Sequence, residues 1–166
     1  MSDPDDKPKS HGRLSIRASL TPRDLMEEPR RVKGAFHAKI ITLFPDAFPG
    51  TLGLSLTGKA LDLGLWHLDT IDLRDFGQGK HRNVDDTPAG GGAGMVLRPD
   101  VVDAAFRHAR EGTPVDRARW PVVYLSPRGA PFTQGTARRF AEAQGITLLC
   151  GRFEGYDERL FEARAI

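Results

Sequence analysis

The chain has 166 residues, 39% of them hydrophobic, with one cysteine and a net charge of +2. That length suits one domain, the hydrophobic share excludes wholesale disorder, and a lone Cys150 excludes an internal disulfide framework and suits a reducing compartment. Residues 1–35 carry 8 Lys+Arg against 6 Asp+Glu and the remainder 16 against 16, so nucleic-acid affinity would have to come from local basic patches rather than a field of the whole domain.

Residues 1–35 read as a mobile, charged N-terminal extension: Pro4, Pro8, Pro22 and Pro29 interrupt it and apolar residues build no sustained period. A short amphipathic helix over Thr21–Met26 is expected, with Thr21 as its N-cap and Pro22 at the first helical position. The N-terminus, MSDPDDKPKS, lacks the apolar core of a secretion signal. No apolar run approaches the roughly 18 residues of a membrane span. The expectation is a cytoplasmic protein without membrane contact.

From Phe36 the texture changes, and residues 36–166 read as the folded domain. Ala38 to Phe44 is an apolar, β-rich run, expected as a strand buried on both faces. Leu52, Leu56, Ala60 and Leu63 recur at helical spacing and Gly64 suits the stop. Leu65 to Leu73 alternates as a second strand. Residues 74–95 show no usable period. Asp100 starts a helix whose apolar face is Val101, Val102, Ala105, Phe106 and Ala109. Pro121 to Ser126 is a third strand, Thr133 to Gln144 a helix and Ile146 to Cys150 a fourth strand. A helix-like stretch carrying Leu160, Phe161, Ala163 and Ile166 closes the chain. Strands alternating with helices predict an α/β domain with a parallel sheet and flanking helices.

Three loops follow predicted strands, where open α/β sheets place their ligands. The first runs from Lys80 to Met95. Gly90, Gly91, Gly92 and Gly94 let its backbone approach a ligand, beside the charges of Lys80, His81, Arg82, Asp85 and Asp86. It is neither a P-loop nor a dinucleotide fingerprint, because Gly-Lys-Ser/Thr and Gly-x-Gly-x-x-Gly are both missing. Read alone, a glycine run of this kind is more often a flexible surface loop. The second, Tyr124-Leu125-Ser126-Pro127-Arg128-Gly129, is a tight turn whose backbone can face a flat ligand, or an ordinary strand-to-helix connection. The third runs from Cys150 to Arg159. Gly151 and Gly155 flank Arg152, Phe153 and Glu154, which favours a positioned carboxylate, and carboxylates accept from guanine-type N–H donors. His37, His67 and His108 lack ligand spacing, so no metal site is expected. Cys150 reads as a buried inert thiol, and the phenylalanines as core.

Together, IITLFP at 40–45, HRNVDDTPAGGGAGM at 81–95, YLSPRG at 124–129 and LLCGRFEGYDER at 149–159 closely resemble the bacterial tRNA (guanine-N1)-methyltransferases, over roughly residues 36–166. The resemblance implies a SPOUT-class α/β trefoil-knot methyltransferase domain, working as a homodimer. The implied reaction moves methyl from S-adenosylmethionine to N1 of guanine 37 of transfer RNA. Carried over by motif, Tyr124, Leu125, Ser126, Pro127, Gly151 and Gly155 resemble the first half of the S-adenosylmethionine pocket, and Gly90, Gly91, Gly92 and Gly94 its cover loop. Asp85 and Glu154 resemble the contacts to the target guanine and its neighbour, and Arg152 orders the same loop or meets RNA phosphate. In the family a second glycine-rich segment, which completes pocket and knot, and the general-base aspartate follow the Asp-Glu-Arg cluster. None is found before Ile166, so the sequence is expected to be the front part of such an enzyme, lacking the knot-forming segment and inactive alone. The catalytic base is expected beyond Ile166. The alternatives are a non-catalytic RNA-binding or dimerisation module derived from such a methyltransferase, or a knot-fold methyltransferase with another target base.

Overall fold

The computed structural model describes residues 32–157 and 159–164. The Thr21–Met26 helix, and the expected extension up to residue 31, lie outside the described residues. Four parallel strands form the sheet: β1 (Phe36–Thr42), β2 (Trp66–Asp72), β5 (Val122–Leu125) and β6 (Gly145–Cys150), in the order β2-β1-β6-β5. A two-stranded antiparallel ladder, β3 (Asp85–Asp86) with β4 (Val96–Leu97), stands apart from it. The helices are α1 (Ser55–Asp62), α2 (Pro99–Arg110), α3 (Gln134–Ala141) and α4 (Arg159–Arg164). The predicted α/β class, parallel sheet and flanking helices are the observed ones.

The strongest apolar runs occupy the centre. Ile41 in β1 faces Leu149 of β6 across the ladder, and both are fully buried. Such side chains contribute about 1.5–3 kcal/mol each. All five residues expected on the apolar face of α2 are buried, and they pack with Ile41, Ile71 and Leu149. Lys39, in the middle of β1, is accommodated by that helix: its Nζ donates to the carbonyls of Ala109 (2.9 Å) and Glu111 (3.0 Å). A cation there meets the orphan acceptors and negative dipole end of α2. Thr147, also fully buried, accepts from Trp120 Nε1 at 2.9 Å.

Four expectations change. The helix expected from Leu52 is a 3-10 turn (Gly50–Gly53) followed by α1, and Leu52, Leu56 and Leu63 are exposed. Helical spacing thus marks an apolar stripe that this chain does not bury. The aperiodic stretch 74–95 contains β3, too short to show a period. Helix α2 starts at Pro99, and Asp100 sits in its first turn, paired with Arg98 rather than capping. The phenylalanines are not all core: Phe44, Phe132 and Phe153 are at least half exposed.

Candidate functional site

The sheet is parallel, so its carboxyl ends share one edge. There the register pairs Thr42 with Asp72 and Leu125 with Cys150. All three predicted loops leave from or return to this edge.

Tyr124, Leu125, Ser126 and Pro127 line a groove of about 890 Å³ between the end of β5 and α3, within the roughly 300–1,000 Å³ of small-molecule sites. Its floor is a turn: Gly129 N–H donates to the Ser126 carbonyl (3.1 Å) and Arg128 N–H to Ser126 Oγ (3.2 Å). Its far wall is α3, which starts cleanly because Thr133 Oγ1 accepts from Thr136 N–H. Phe132, Arg139, Phe140 and Phe161 are among the other lining residues. These four were missed by sequence reasoning, although an exposed Phe132 in a Pro-Phe-Thr cap was the available signal. The groove is open: Leu125 is 53% and Phe132 73% exposed.

Gly151 and Gly155 do not line this groove. They make room for the ring behind it. A Cβ on Gly151 would lie 3.4 Å from Tyr124 and from Tyr156, and one on Gly155 would lie 2.7 Å from Tyr124 Oη. Gly155 also has φ +105°, a left-handed conformation that side chains resist. Tyr124 stacks on Phe161 and meets Tyr156 edge-on, both at 4.8 Å. Tyr156, another residue that sequence reasoning missed, is buried, and burial pushes its phenol up from the ordinary value. Through this aromatic cluster the second and third loops are locked together.

The first and third loops meet on the opposite side. Leu97 of β4 pairs with Asp85 of β3 and bridges Tyr156, and its N–H donates to the Gly155 carbonyl at 2.9 Å. Glu154 N–H donates to the Met95 carbonyl (3.0 Å), and a Cβ on Gly94 would lie 2.7 Å from Glu154 Cγ. Asp85 and Glu154 therefore hang from one small backbone ladder. Phe153, with φ +59°, and the Gly155 N–H to Arg152 carbonyl bond (3.1 Å) turn Glu154 outward, where it is exposed. Gly90, Gly91 and Gly92 are not packed into either side: a Cβ on any of them would meet nothing within 4 Å.

Charge pairs brace the ladder from outside. Arg98 grips Asp100 at 2.8 and 3.1 Å, and Arg159 holds Asp157 at 2.9 Å. Each arginine hydrogen bond holds its aspartate below the usual carboxylate range. Asp157 also accepts from the Arg159 N–H at the start of α4, so it is committed to structure. Arg152 is exposed, with its guanidinium 5.6 Å from the Phe44 ring centre. Cys150 is free and half-buried, and burial pushes its thiol up, opposite to what a nucleophile requires. Among the described residues no cluster of three His, Cys, Asp or Glu is placed to hold a metal ion, and no helix is long and apolar enough to cross a membrane.

Comparison with known proteins adds a family. The model of a family described as tRNA (Guanine-1)-methyltransferase TrmD matches residues 36–165. The chain is 69% identical over 135 residues to a tRNA (guanine-N(1)-)-methyltransferase of Cereibacter sphaeroides (strain KD131 / KCTC 12085), covering 81% of this chain and 54% of that protein. Similar matches are to proteins of the same name from Jannaschia sp. (strain CCS1), 66% identical over 84% of this chain and 56% of the relative, and from Roseobacter denitrificans, 61% identical over 82% and 56%. The chain thus spans about half the length of the curated relatives it matches.

Proposed function

Because the chain belongs to the tRNA (guanine-1)-methyltransferase family, we propose that it carries the cofactor-cradling and guanine-reading loops of an enzyme that methylates N1 of guanine 37 in transfer RNA. The observation that carries this reading is the convergence of three loops on one sheet edge, with an open groove on one side and an outward carboxylate on the other. The relatives' names supply the substrate class, tRNA guanine.

The groove suits S-adenosylmethionine. Its volume, its turn of exposed backbone polar groups and its aromatic walls at Phe132 and Phe140 (6.2 Å apart) match an adenine nucleoside with a charged tail. That cofactor supplies a methyl group on a sulfonium, which needs no metal. Tyr124, Leu125, Ser126 and Pro127 would hold it, while Gly151 and Gly155 let Tyr124 stand behind it. Gly90, Gly91 and Gly92 would fold over it, consistent with the free space around them, with Gly94, packed against Glu154, as the fixed end of that cover loop. Glu154 and Asp85 would accept hydrogen bonds from the target guanine and its neighbour, and Arg152 would meet phosphate. Positioning of N1 against the methyl group is then the main contribution of these loops. No residue among the 166 is assigned as the base. The working form is proposed to be a cytoplasmic homodimer with the SPOUT trefoil-knot architecture, and residues 1–35 an appendage outside the domain.

The test is a chimaera in which residues 36–166 replace the matching segment of the Cereibacter sphaeroides relative. It should transfer labelled methyl from S-adenosylmethionine to N1 of guanine 37. A folded chimaera without that transfer, beside an active parent, would overturn the reading.

A further inference from the structure

The parallel register builds a row of three side chains, two of which, Phe44 and Arg74, the assignments above leave unused. Phe44 lies two residues beyond the end of β1, Arg74 two beyond β2 and Arg152 two beyond β6. The sheet order β2-β1-β6 puts the ring in the middle, with an arginine from the strand on each side. The guanidinium carbons lie 5.9 Å (Arg74) and 5.6 Å (Arg152) from the Phe44 ring centre, within cation–π range. The ring is held up by its own turn, since Phe44 N–H donates to Thr42 Oγ1 at 3.1 Å. Arg74 is anchored by a bond from Nη1 to the Leu43 carbonyl.

Three observations give this row a purpose beyond ordering loops. Phe44 remains 51% exposed although its neighbour Leu43 is buried in the core. The positive charge is only partly compensated: Arg74 has a loose ion pair with Asp72 at 3.8 Å, and among the described residues no carboxylate lies within 4 Å of Arg152. The folded part carries equal numbers of acidic and basic residues, so a local patch of this kind is where a polyanion would be gripped. An exposed ring between two cations matches a single-stranded nucleotide, with its base stacked on the ring and its phosphates on the arginines. The row ends at Arg152, two residues from Glu154 on the same turn, so a strand lying along it leads to the guanine-reading carboxylate.

We propose that Phe44, with Arg74 and Arg152, forms a stacking platform for an unpaired nucleotide of the RNA near the target guanine. This rests on the RNA-methyltransferase reading above, and assigns Phe44 and Arg74 as positioning residues. The test uses the 166-residue chain and a fluorescein-labelled anticodon stem-loop carrying guanine 37, titrated by anisotropy from 50 to 200 mM salt. Phe44→Ala should weaken binding about ten-fold without changing the salt slope, and Phe44→Trp should restore it. Arg74→Gln should lower the slope of log affinity against log salt by about 0.7, whereas Arg74→Lys should keep it. A ring that merely ordered the loop would not be rescued by the larger indole. Wild-type affinity in Phe44→Ala, or a wild-type slope in Arg74→Gln, would overturn the platform and leave the methyltransferase reading intact. A poly-glutamate peptide bound as tightly, with the same dependence on Phe44, would overturn the assignment to RNA. Failure of the unmodified chain to bind the stem-loop would overturn the platform, while the methyltransferase reading stands or falls with the chimaera.

Discussion

The two sides of the strand-end surface are built on opposite terms. On the β5 side, the groove between Ser126 and α3 leaves Leu125 and Phe132 mostly exposed. Under the proposed function a ligand is what would fill it. On the β4 side, Asp85, Leu97, Gly155 and Glu154 are tied by backbone hydrogen bonds of about 3 Å, and side chains pack close enough to exclude a methyl group at Gly94 and Gly155. Under the proposed function the difference divides recognition: one side would accept a flexible molecule by shape, and the other would hold carboxylates where a rigid base edge can find them. Preorganisation of that second kind is where a small displacement costs most.

Substitutions at two glycines break the comparison most sharply. Gly155→Ala places a Cβ 2.7 Å from Tyr124 Oη on a residue with φ +105°, adding overpacking to a left-handed penalty. The expected loss is about 2–4 kcal/mol of stability, read by urea unfolding. Gly91→Ala, with φ +85° and open space around it, should cost only about 1–2 kcal/mol from the backbone alone. Equal losses at the two positions would mean that the third loop is not packed as described.

Acid should sharpen the same contrast with a smaller effect. Asp100 and Asp157 are held below the usual carboxylate range by the Arg98 and Arg159 hydrogen bonds. A depressed carboxylate stabilises the fold above its unfolded value of about 3.9, and that stability is lost as pH falls through the lower, folded value. Asp100 is substantially solvent-exposed, so solvent screening keeps the contribution of its pair small. The melting temperature should therefore fall slightly below pH 4, and Asp100→Asn should flatten that part of the profile. A profile unchanged by that substitution would remove the Arg98 pair from the bracing.

The sheet was legible because β1, β5 and β6 carry β-rich apolar runs, β2 alternates, and α2 keeps a strict helical period. These signals come from residues that water excludes. The β3–β4 ladder was not legible: two-residue strands carry no period, and their partner, Tyr156, lies about sixty residues further on. The three loops could be picked out by glycine and charge. That Gly151 and Gly155 serve the Tyr124 ring directly required the fold, because spacing does not say what a missing Cβ makes room for. Phe44, Phe132 and Phe153 were read as core on hydrophobicity alone, which cannot tell a face turned inward from one offered to a ligand.

The account's central claim, that the tight side reads guanine while the open side holds the methyl donor, is tested most directly by Glu154→Ala in the chimaera, with tRNA methylation and S-adenosylmethionine affinity measured in parallel. Loss of a hydrogen bond to a charged group costs about 1.5–3 kcal/mol, so kcat/KM for tRNA should fall roughly ten- to a hundred-fold while the cofactor Kd, by calorimetry, stays unchanged. Methylation at the parent rate, or a matching loss of cofactor affinity, would contradict that division.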